Sequence, residues 1–171
     1  PEYFILYKPK DVVSGDFYWM HRQGEYFYFC IADCTGHGIP GAFMSLIGMG
    51  ILNEIIYSKQ IKQTNTMLDE LRRIVILAVN PEGSLEEGKD GMDLVLGRLH
   101  LKTKELQYSA AHNSFYIFRQ GELIKHKADK MPVGKFYEFE KPFTQHNIQL
   151  KTGDIIYAST DGFRDQFGGE A

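Results

Sequence analysis

The chain has 171 residues, of which 43% are hydrophobic and 13% aromatic, so it can form a substantial core without disulfide bonds. Its formal net charge is −3, with acidic and basic residues interspersed, which excludes an electrostatic nucleic-acid binder and a polybasic membrane-surface module. No run approaches the roughly 18 apolar residues of a membrane span, so direct membrane insertion by this segment is not expected.

The first part of the chain has the composition of β-strands. Residues 2–7 form a short apolar run. Residues 12–22 and 25–33 are rich in aromatic and β-branched side chains, and the Gln23-Gly24 pair between them predicts a hairpin. This segment is therefore expected to supply adjacent antiparallel strands.

The two cysteines, Cys30 and Cys34, lie four residues apart in what is predicted to be one strand. At the rise of a strand they are about 13 Å apart, too far for a disulfide bond. This pattern favours a reducing compartment, and we predict a cytoplasmic location.

A glycine-rich loop over residues 35–42 leads into the first predicted helix. Pro40 suits the first turn of that helix. The helix, predicted over residues 41–57, is apolar nearly all round, so we expect it to be buried rather than to lie on the surface. Gly48 and Gly50 lower its helix propensity, and we expect both to permit close packing against a sheet.

The rest of the chain predicts one more helix and several strands. The helix covers residues 66–79, Asn80-Pro81 stops it, and a polar, acidic loop follows over residues 82–91. Further strands are predicted over residues 92–101, 106–111, 115–119, 123–126, 143–150 and 154–159. Because the connections between them are short, neighbouring strands are expected to be antiparallel. The order of elements predicts an α+β fold of two stacked antiparallel sheets with helices outside.

Three aspartates stand out because they interrupt or end apolar strands: Asp16, Asp33 and Asp161. A carboxylate in such a position is costly unless something offsets its charge. A single aspartate of this kind is usually a turn former, and the Asp161-Gly162 pair fits that interpretation by itself. Hard divalent cations take oxygen ligands, so convergence of all three on Mg²⁺ or Mn²⁺ is the alternative.

The glycine-rich loop allows several interpretations. Backbone N–H groups around Gly36, His37 and Gly38 can hold an anion before a helix N-terminus, although a plain strand-to-helix turn fits equally well. The loop is not a P-loop, because the spacing and the lysine are absent. His37 and His112 can each bind a ligand, donate a proton or stabilise a loop. A zinc site from His37, His112 and Cys34 has no supporting spacing, nor has a nucleophilic Cys34 with His37 as its base.

Several motifs together resemble a known family, in the same order along the chain. They are residues 14–18 (SGDFY), 32–42 (ADCTGHGIPGA), 91–93 (GMD), 109–113 (SAAHN) and 159–163 (STDGF). They resemble the stage II sporulation protein E-like branch of the metal-dependent serine/threonine phosphatases, which are relatives of the type 2C enzymes. The resemblance covers almost the whole chain.

The resemblance implies an αββα sandwich with metals held at one end of the two sheets. Asp33 matches the carboxylate that bridges two Mn²⁺ or Mg²⁺ ions, and the backbone carbonyl of Cys34 matches the adjacent ligand. Asp161 matches a second metal aspartate, and Asp16 matches an acid that reaches a metal directly or through water. The implied reaction is in-line attack of a metal-activated water on phosphoserine or phosphothreonine. It needs no covalent enzyme intermediate, so Cys34 need not be a nucleophile.

The resemblance also implies a regulatory setting. The expected substrate is a phosphorylated protein of the anti-sigma-factor-antagonist type, and the expected controls are an upstream sensor domain in the same chain and dimerisation. Such a domain can also be the cytoplasmic output of a membrane-anchored sensor. Residues 1–171 are predicted to be one catalytic domain, a fragment of a larger signalling protein without its C-terminal strand and final metal-ligand motif. The alternative is a pseudophosphatase, a module that binds a phosphoprotein without hydrolysing it.

Overall fold

The computed structural model describes residues 1–79, 90–136 and 141–165 of the chain. Its elements, in chain order, are β1 (Phe17–Gln23), β2 (Tyr26–Cys34), α1 (Gly38–Glu54), a π-helical turn (Ile55–Lys59), α2 (Thr64–Val79), β3 (Gly91–His100), β4 (Glu105–Ala111), β5 (Phe115–Arg119), β6 (Glu122–His126), β7 (Val133–Gly134), β8 (His146–Gln149), β9 (Ile155–Tyr157) and α3 (Asp161–Arg164).

The strands form two sheets. The larger has the order β1-β2-β3-β4-β8, with β7 paired to the start of β3, and the smaller has the order β6-β5-β9. The pairs between these strands are antiparallel, as their short connections predict. Gln23 pairs with Tyr26, and Gly24 in the turn between them has a φ of +57°, which confirms the predicted hairpin.

The larger sheet carries core side chains on both faces. The first core lies between this sheet and the helices, and its buried members include Trp19, Tyr28, Leu52, Leu68 and Leu96. The second core lies between the two sheets, and its buried members include Phe29, Val95, Tyr108, Phe115 and Ile117. Successive residues of a strand point to opposite faces, so a single strand such as β2 supplies both cores. This layering confirms the predicted α+β fold of stacked antiparallel sheets.

The first helix differs from its prediction in its bounds and in its burial. It starts at Gly38 rather than at residue 41, and the π-helical turn continues it to Lys59. The expectation that it is buried rather than lying on the surface holds for one side only, because Phe43 and Leu46 on the other side are each 62% exposed. The continuous 22-residue helix is long and apolar enough to cross a membrane by length and composition. Ser45 and several glycines interrupt its apolar residues, so the sequence shows no unbroken apolar run here, and the core helix of a globular protein meets the same criterion.

The two glycines of α1 behave differently. A Cβ atom on Gly48 would lie 2.9 Å from the Cε atom of Met92 in β3, so this glycine lets the helix approach the sheet as predicted. Gly50 is exposed, and no atom of the described residues lies within 4 Å of a Cβ placed there. The prediction that Gly50 also serves close packing is therefore wrong.

Other departures come from tertiary contacts. The predicted strand 12–22 begins only at Phe17, because the Ser14 hydroxyl accepts a hydrogen bond from the Asp16 N–H at 3.0 Å and turns the chain. The predicted strand 143–150 is reduced to β8, since the Phe143 N–H is bound by the Asp69 carboxylate at 3.0 Å.

The remaining differences concern short elements and segments. The short elements β7 and α3 were not predicted, and residues 2–7 form no strand in the structure. The predicted helix stop and most of the predicted acidic loop lie outside the described residues.

Candidate active site

The fold brings the three predicted aspartates to the same end of the larger sheet. Phe17 pairs with Ala32, so Asp16, just before β1, lies across from Asp33 near the end of β2. Asp161 begins α3 after β9. Its predecessor Thr160 donates a hydrogen bond to a carboxylate oxygen of Asp16 at 2.7 Å, and this contact joins the segment after β9 to the segment before β1.

Asp33 is the centre of the cluster. Burial raises its pKa most, followed by the negative charge of Asp16 and by the hydrogen bond and charge of Asp161, and together they bring the pKa to about 8. An ordinary aspartate has a pKa near 4, so Asp33 is largely protonated at neutral pH in the absence of a cation. Its two acidic neighbours therefore make full ionisation of the cluster unfavourable.

The donor set of this cluster fits a hard divalent cation, since clustered carboxylate oxygens are the ligands that Mg²⁺ and Mn²⁺ prefer. Within residues 1–79, 90–136 and 141–165, however, no three Asp, Glu, His or Cys side chains are already arranged as a metal site. The contacts run pairwise through Asp33. Binding of an ion would therefore have to draw the carboxylates together.

Glycines allow the aspartate-bearing segments to pack against each other. A Cβ on Gly15 would lie 2.9 Å from the carbonyl oxygen of Gly36 and 3.0 Å from that of Cys34. A Cβ on Gly41, in the first turns of α1, would lie 2.5 Å from the same Gly36 oxygen. Both contacts are with backbone, which cannot rotate away, so the loop before Asp16 and the loop after β2 require glycine at these positions.

The other predicted loop residues, Gly36, His37 and Gly38, lie at the connection from β2 to α1. Gly36 and Gly38 have φ values of +91° and +62°, which glycine adopts at little cost, and they allow the loop to reverse into α1. His37 is exposed at the N-cap of α1, where its side chain makes no capping hydrogen bond within the part of the chain that the structure describes.

Cys34 has the wrong character for a nucleophile. Its thiol is buried, and burial raises its pKa to about 12, with smaller contributions from the charges of Asp33 and Asp16. Reactive and zinc-binding cysteines are thiolates in basic surroundings. The buried thiol therefore argues against both cysteine interpretations, whereas the Cys34 carbonyl oxygen lies beside Gly15 in the loop packing.

Sequence reasoning missed Asp93 as a member of the site. It pairs directly with Asp33 in the β2–β3 ladder, and one of its carboxylate oxygens lies 3.0 Å from Nδ1 of His112. Burial raises the pKa of Asp93, His112 lowers it, and the charge of Asp161 raises it further. The sequence feature that could have revealed Asp93 is an acidic residue in a mostly apolar strand. In the structure this residue is in register with Asp33, a candidate metal ligand of the neighbouring strand.

Comparisons with known proteins identify the relatives of this chain. A family model described as stage II sporulation protein E (SpoIIE) matches residues 23–170. The SiaA-PP2C domain of Pseudomonas aeruginosa superposes with a TM-score of 0.82 at 30% identity, over 98% of this chain and 63% of that one. No curated protein matches the sequence.

Two further solved structures share the fold at lower identity. The PP2C phosphatase domain of SpoIIE from Bacillus subtilis, solved with a fragment of its regulatory domain, gives a TM-score of 0.74 at 23% identity, over 89% of this chain and 42% of that one. The structure of RsbX in complex with magnesium superposes with a TM-score of 0.65 at 14% identity, over 87% of this chain and 67% of that one. The chain thus spans less than two thirds of the SiaA and SpoIIE structures.

Proposed function

Because the chain belongs to the stage II sporulation protein E (SpoIIE) family of PP2C-type phosphatase domains, we propose that it is a protein phosphatase that hydrolyses phosphoserine or phosphothreonine with the help of two Mn²⁺ or Mg²⁺ ions. The observation that carries the proposal is the contact of Asp33 with both Asp16 and Asp161. Burial, and after it these two acids, raises the pKa of Asp33 to about 8. Such a cluster of opposed acids is the donor set of a site for divalent cations. One fold relative, RsbX, is described in complex with magnesium.

Each group of the site would have its own role in the reaction. Asp33, Asp161, Asp16 and the backbone carbonyl of Cys34 would hold the ions. When bound, two such ions lower the pKa of a water and neutralise charge on the phosphoryl group. Thr160 orients Asp16 through its 2.7 Å hydrogen bond. Backbone N–H groups of Gly36, His37 and Gly38 lie at the start of α1, where a phosphate oxygen is favoured.

The biological setting is proposed from the family. The substrate would be a regulatory phosphoprotein of the anti-sigma-factor-antagonist type, and control would come from an upstream sensor domain and from dimerisation. A cytoplasmic location agrees with the two buried free thiols, Cys30 and Cys34. That the segment is one catalytic domain of a longer signalling protein stays a prediction.

The test is hydrolysis of p-nitrophenyl phosphate and of a phosphoserine peptide, with Mn²⁺, with Mg²⁺ and with EDTA. We expect turnover only with metal, and its loss in Asp33→Ala. Asp11→Ala is the matched control. Asp11, like Asp16, precedes β1 in the sequence, but it is exposed and lies outside the cluster. Metal-independent turnover, or full activity of Asp33→Ala, would refute the proposal. Binding of the phosphopeptide without any turnover would support the non-catalytic module instead.

A further inference from the structure

A half-buried arginine at the other end of the larger sheet has no acidic partner. Arg98 in β3 pairs directly with Tyr28 in β2, so both side chains lie on the face of the sheet that meets the helices. The two residues are five positions along their strands from Asp93 and Asp33, which puts them about 17 Å from the acidic cluster. Among the described residues, no carboxylate forms an ion pair with the Arg98 guanidinium.

Two tyrosine rings hold this guanidinium in place. The Cζ atom of Arg98 lies 3.8 Å from the ring centre of Tyr26 and 5.9 Å from that of Tyr28. Such contacts stabilise a cation through the ring face and leave the N–H groups at the edge of the guanidinium free to donate hydrogen bonds. The edge is therefore oriented before any acceptor arrives. Because Arg98 is only half-buried, an acceptor can reach its guanidinium from solvent.

Two hydrogen-bonding groups at this place are buried and unpartnered. Neither Nε of Arg98 nor the hydroxyl of Tyr28 makes a hydrogen bond with any residue that the structure describes, although Tyr28 is fully buried. Burial raises the pKa of Tyr28 and the charge of Arg98 acts against this rise, so the hydroxyl and the guanidinium lie close together. A buried N–H or O–H without an acceptor is costly, and nearly all such groups in folded proteins have a partner. The two groups therefore require an acceptor.

The neighbouring acceptors of the chain already have partners. Gln107 in β4 flanks Arg98 on the other side, and its side-chain oxygen accepts the N–H of Thr64 at 3.0 Å. Glu25, the acid just before β2, pairs with Lys102 at 3.5 Å. Arg98 is a cation whose Nε and Nη offer two parallel N–H bonds, a geometry that matches two oxygens of one carboxylate or phosphate group. The acceptor that fits best is therefore an anion with at least two oxygens from outside these residues.

We propose that Arg98 and Tyr28 form a binding site for a small oxyanion, a carboxylate or phosphate group, at the end of the larger sheet opposite the acidic cluster. Nε and one Nη of Arg98 donate to two oxygens of the anion, and the hydroxyl of Tyr28 donates to one of them. The site does not depend on the proposed phosphatase function, since none of the residues that would hold metal ions belongs to it. An anion bound there does not compete with a phosphorylated substrate at the acids.

The test is a titration of the full chain, in EDTA, with inorganic phosphate, with acetate and with chloride at matched ionic strength. In ¹⁵N spectra of the arginine side chains, the Nε–H resonance of Arg98 is the one that Arg98→Lys lacks. We expect phosphate or acetate to shift it to saturation and chloride not to do so. Saturation with one oxyanion alone identifies that group as the ligand, and saturation with both identifies either. Shifts that do not saturate with any of the three, or no shift, would mean that only water satisfies the two groups, and would overturn the proposal.

Variants locate the bound anion. Tyr28→Phe removes only the hydroxyl and keeps the ring, so it should weaken binding of the saturating oxyanion by about tenfold. Thermal unfolding should show that this anion stabilises the unsubstituted protein saturably, and that Arg98→Lys retains only the general effect of the salt. Arg22→Gln is the matched control, because Arg22 is an exposed arginine at the same end of the sheet, and it should leave binding unchanged. Unchanged affinity in Tyr28→Phe, or equal saturable stabilisation of Arg98→Lys, would place the anion elsewhere and overturn the proposal.

Discussion

Asp33 should make the metal-free protein less stable than it would be with a neutral residue at this position. The pKa of Asp33 is about 8 in the fold and near 4 in the unfolded chain. Between these two values the folded state binds one more proton than the unfolded state. The free energy of unfolding therefore falls as the pH rises from about 4 to about 8, and it is lowest above pH 8.

The size of the effect follows from the pKa. A rise of about 4 in the pKa corresponds to about 6 kcal/mol if it is felt in full. The Asp33 side chain is only half-buried, so solvent screening reduces this to about 3 kcal/mol. Asp33→Asn removes the charge and keeps the shape. We expect it to raise the free energy of unfolding by about 3 kcal/mol at about pH 8.5 and by less than about 1 kcal/mol at about pH 5.

The assay is urea unfolding followed by circular dichroism, in EDTA, at both pH values. Asp11→Asn is the control, since Asp11 is exposed and its substitution should change stability little at either pH. The same Asp33→Asn protein should have lost metal-dependent turnover, so that stability and activity move in opposite directions. A gain of equal size at both pH values, or no gain at the higher one, would show that Asp33 is not a buried member of an acidic cluster.

Three further outcomes are expected. Mn²⁺ should raise the melting temperature of the unsubstituted protein in a concentration-dependent way and leave that of Asp33→Ala unchanged, which thermal scans across a Mn²⁺ series will show. Thr160→Val removes the hydrogen bond to Asp16, so calorimetry should find Mn²⁺ affinity lower by about tenfold, and unchanged affinity would refute this orienting role. Gly41→Ala should lower stability by about 1–3 kcal/mol because its Cβ would meet backbone, whereas Gly50→Ala in the same helix should raise it by about 0.5–1 kcal/mol. Urea unfolding of the two variants side by side decides this last pair.

Local patterns predicted the strands and the hairpin well, because they depend on residues that are close in sequence. The Gln23-Gly24 pair and the alternation on either side determine the β1–β2 turn without help from the rest of the chain. The short elements β7 and α3 could not be found in this way. Val133 and Gly134 form a strand only because β3 offers them an edge, and α3 has only four residues.

The exposure of α1 shows why composition alone misjudges a helix. The helix carries apolar side chains on nearly all of its sides, so its sequence contains no polar face that would indicate which side meets water. The sheet covers the side of Met44, Gly48 and Ile51, and the opposite side keeps Phe43 and Leu46 exposed. Only the crossing of the helix over β2 and β3 separates the two sides, and that is a tertiary property.

The same distinction explains how much of the site was predictable. Asp16, Asp33 and Asp161 could be selected because each breaks an apolar strand, and antiparallel pairing then brings strand ends together. Asp93 has the same property and belongs to the GMD motif of residues 91–93, yet only its register with Asp33 places it at the site. Its partner His112 reaches it through a left-handed turn that no local pattern announces.

The site therefore has two layers with different origins. The acidic cluster follows from where the strands end, so any sequence that keeps this topology and places aspartates at those ends acquires mutually opposed carboxylates. The Asp93–His112 pair depends in addition on one strained residue and on two hydrogen bonds to distant backbone. Gln60, Lys104 and Gln120 have the same left-handed backbone at turns away from the acids. The two hydrogen bonds to the Asp129 and Ser159 carbonyl oxygens, and not the φ of His112 alone, therefore hold the pair beside the cluster.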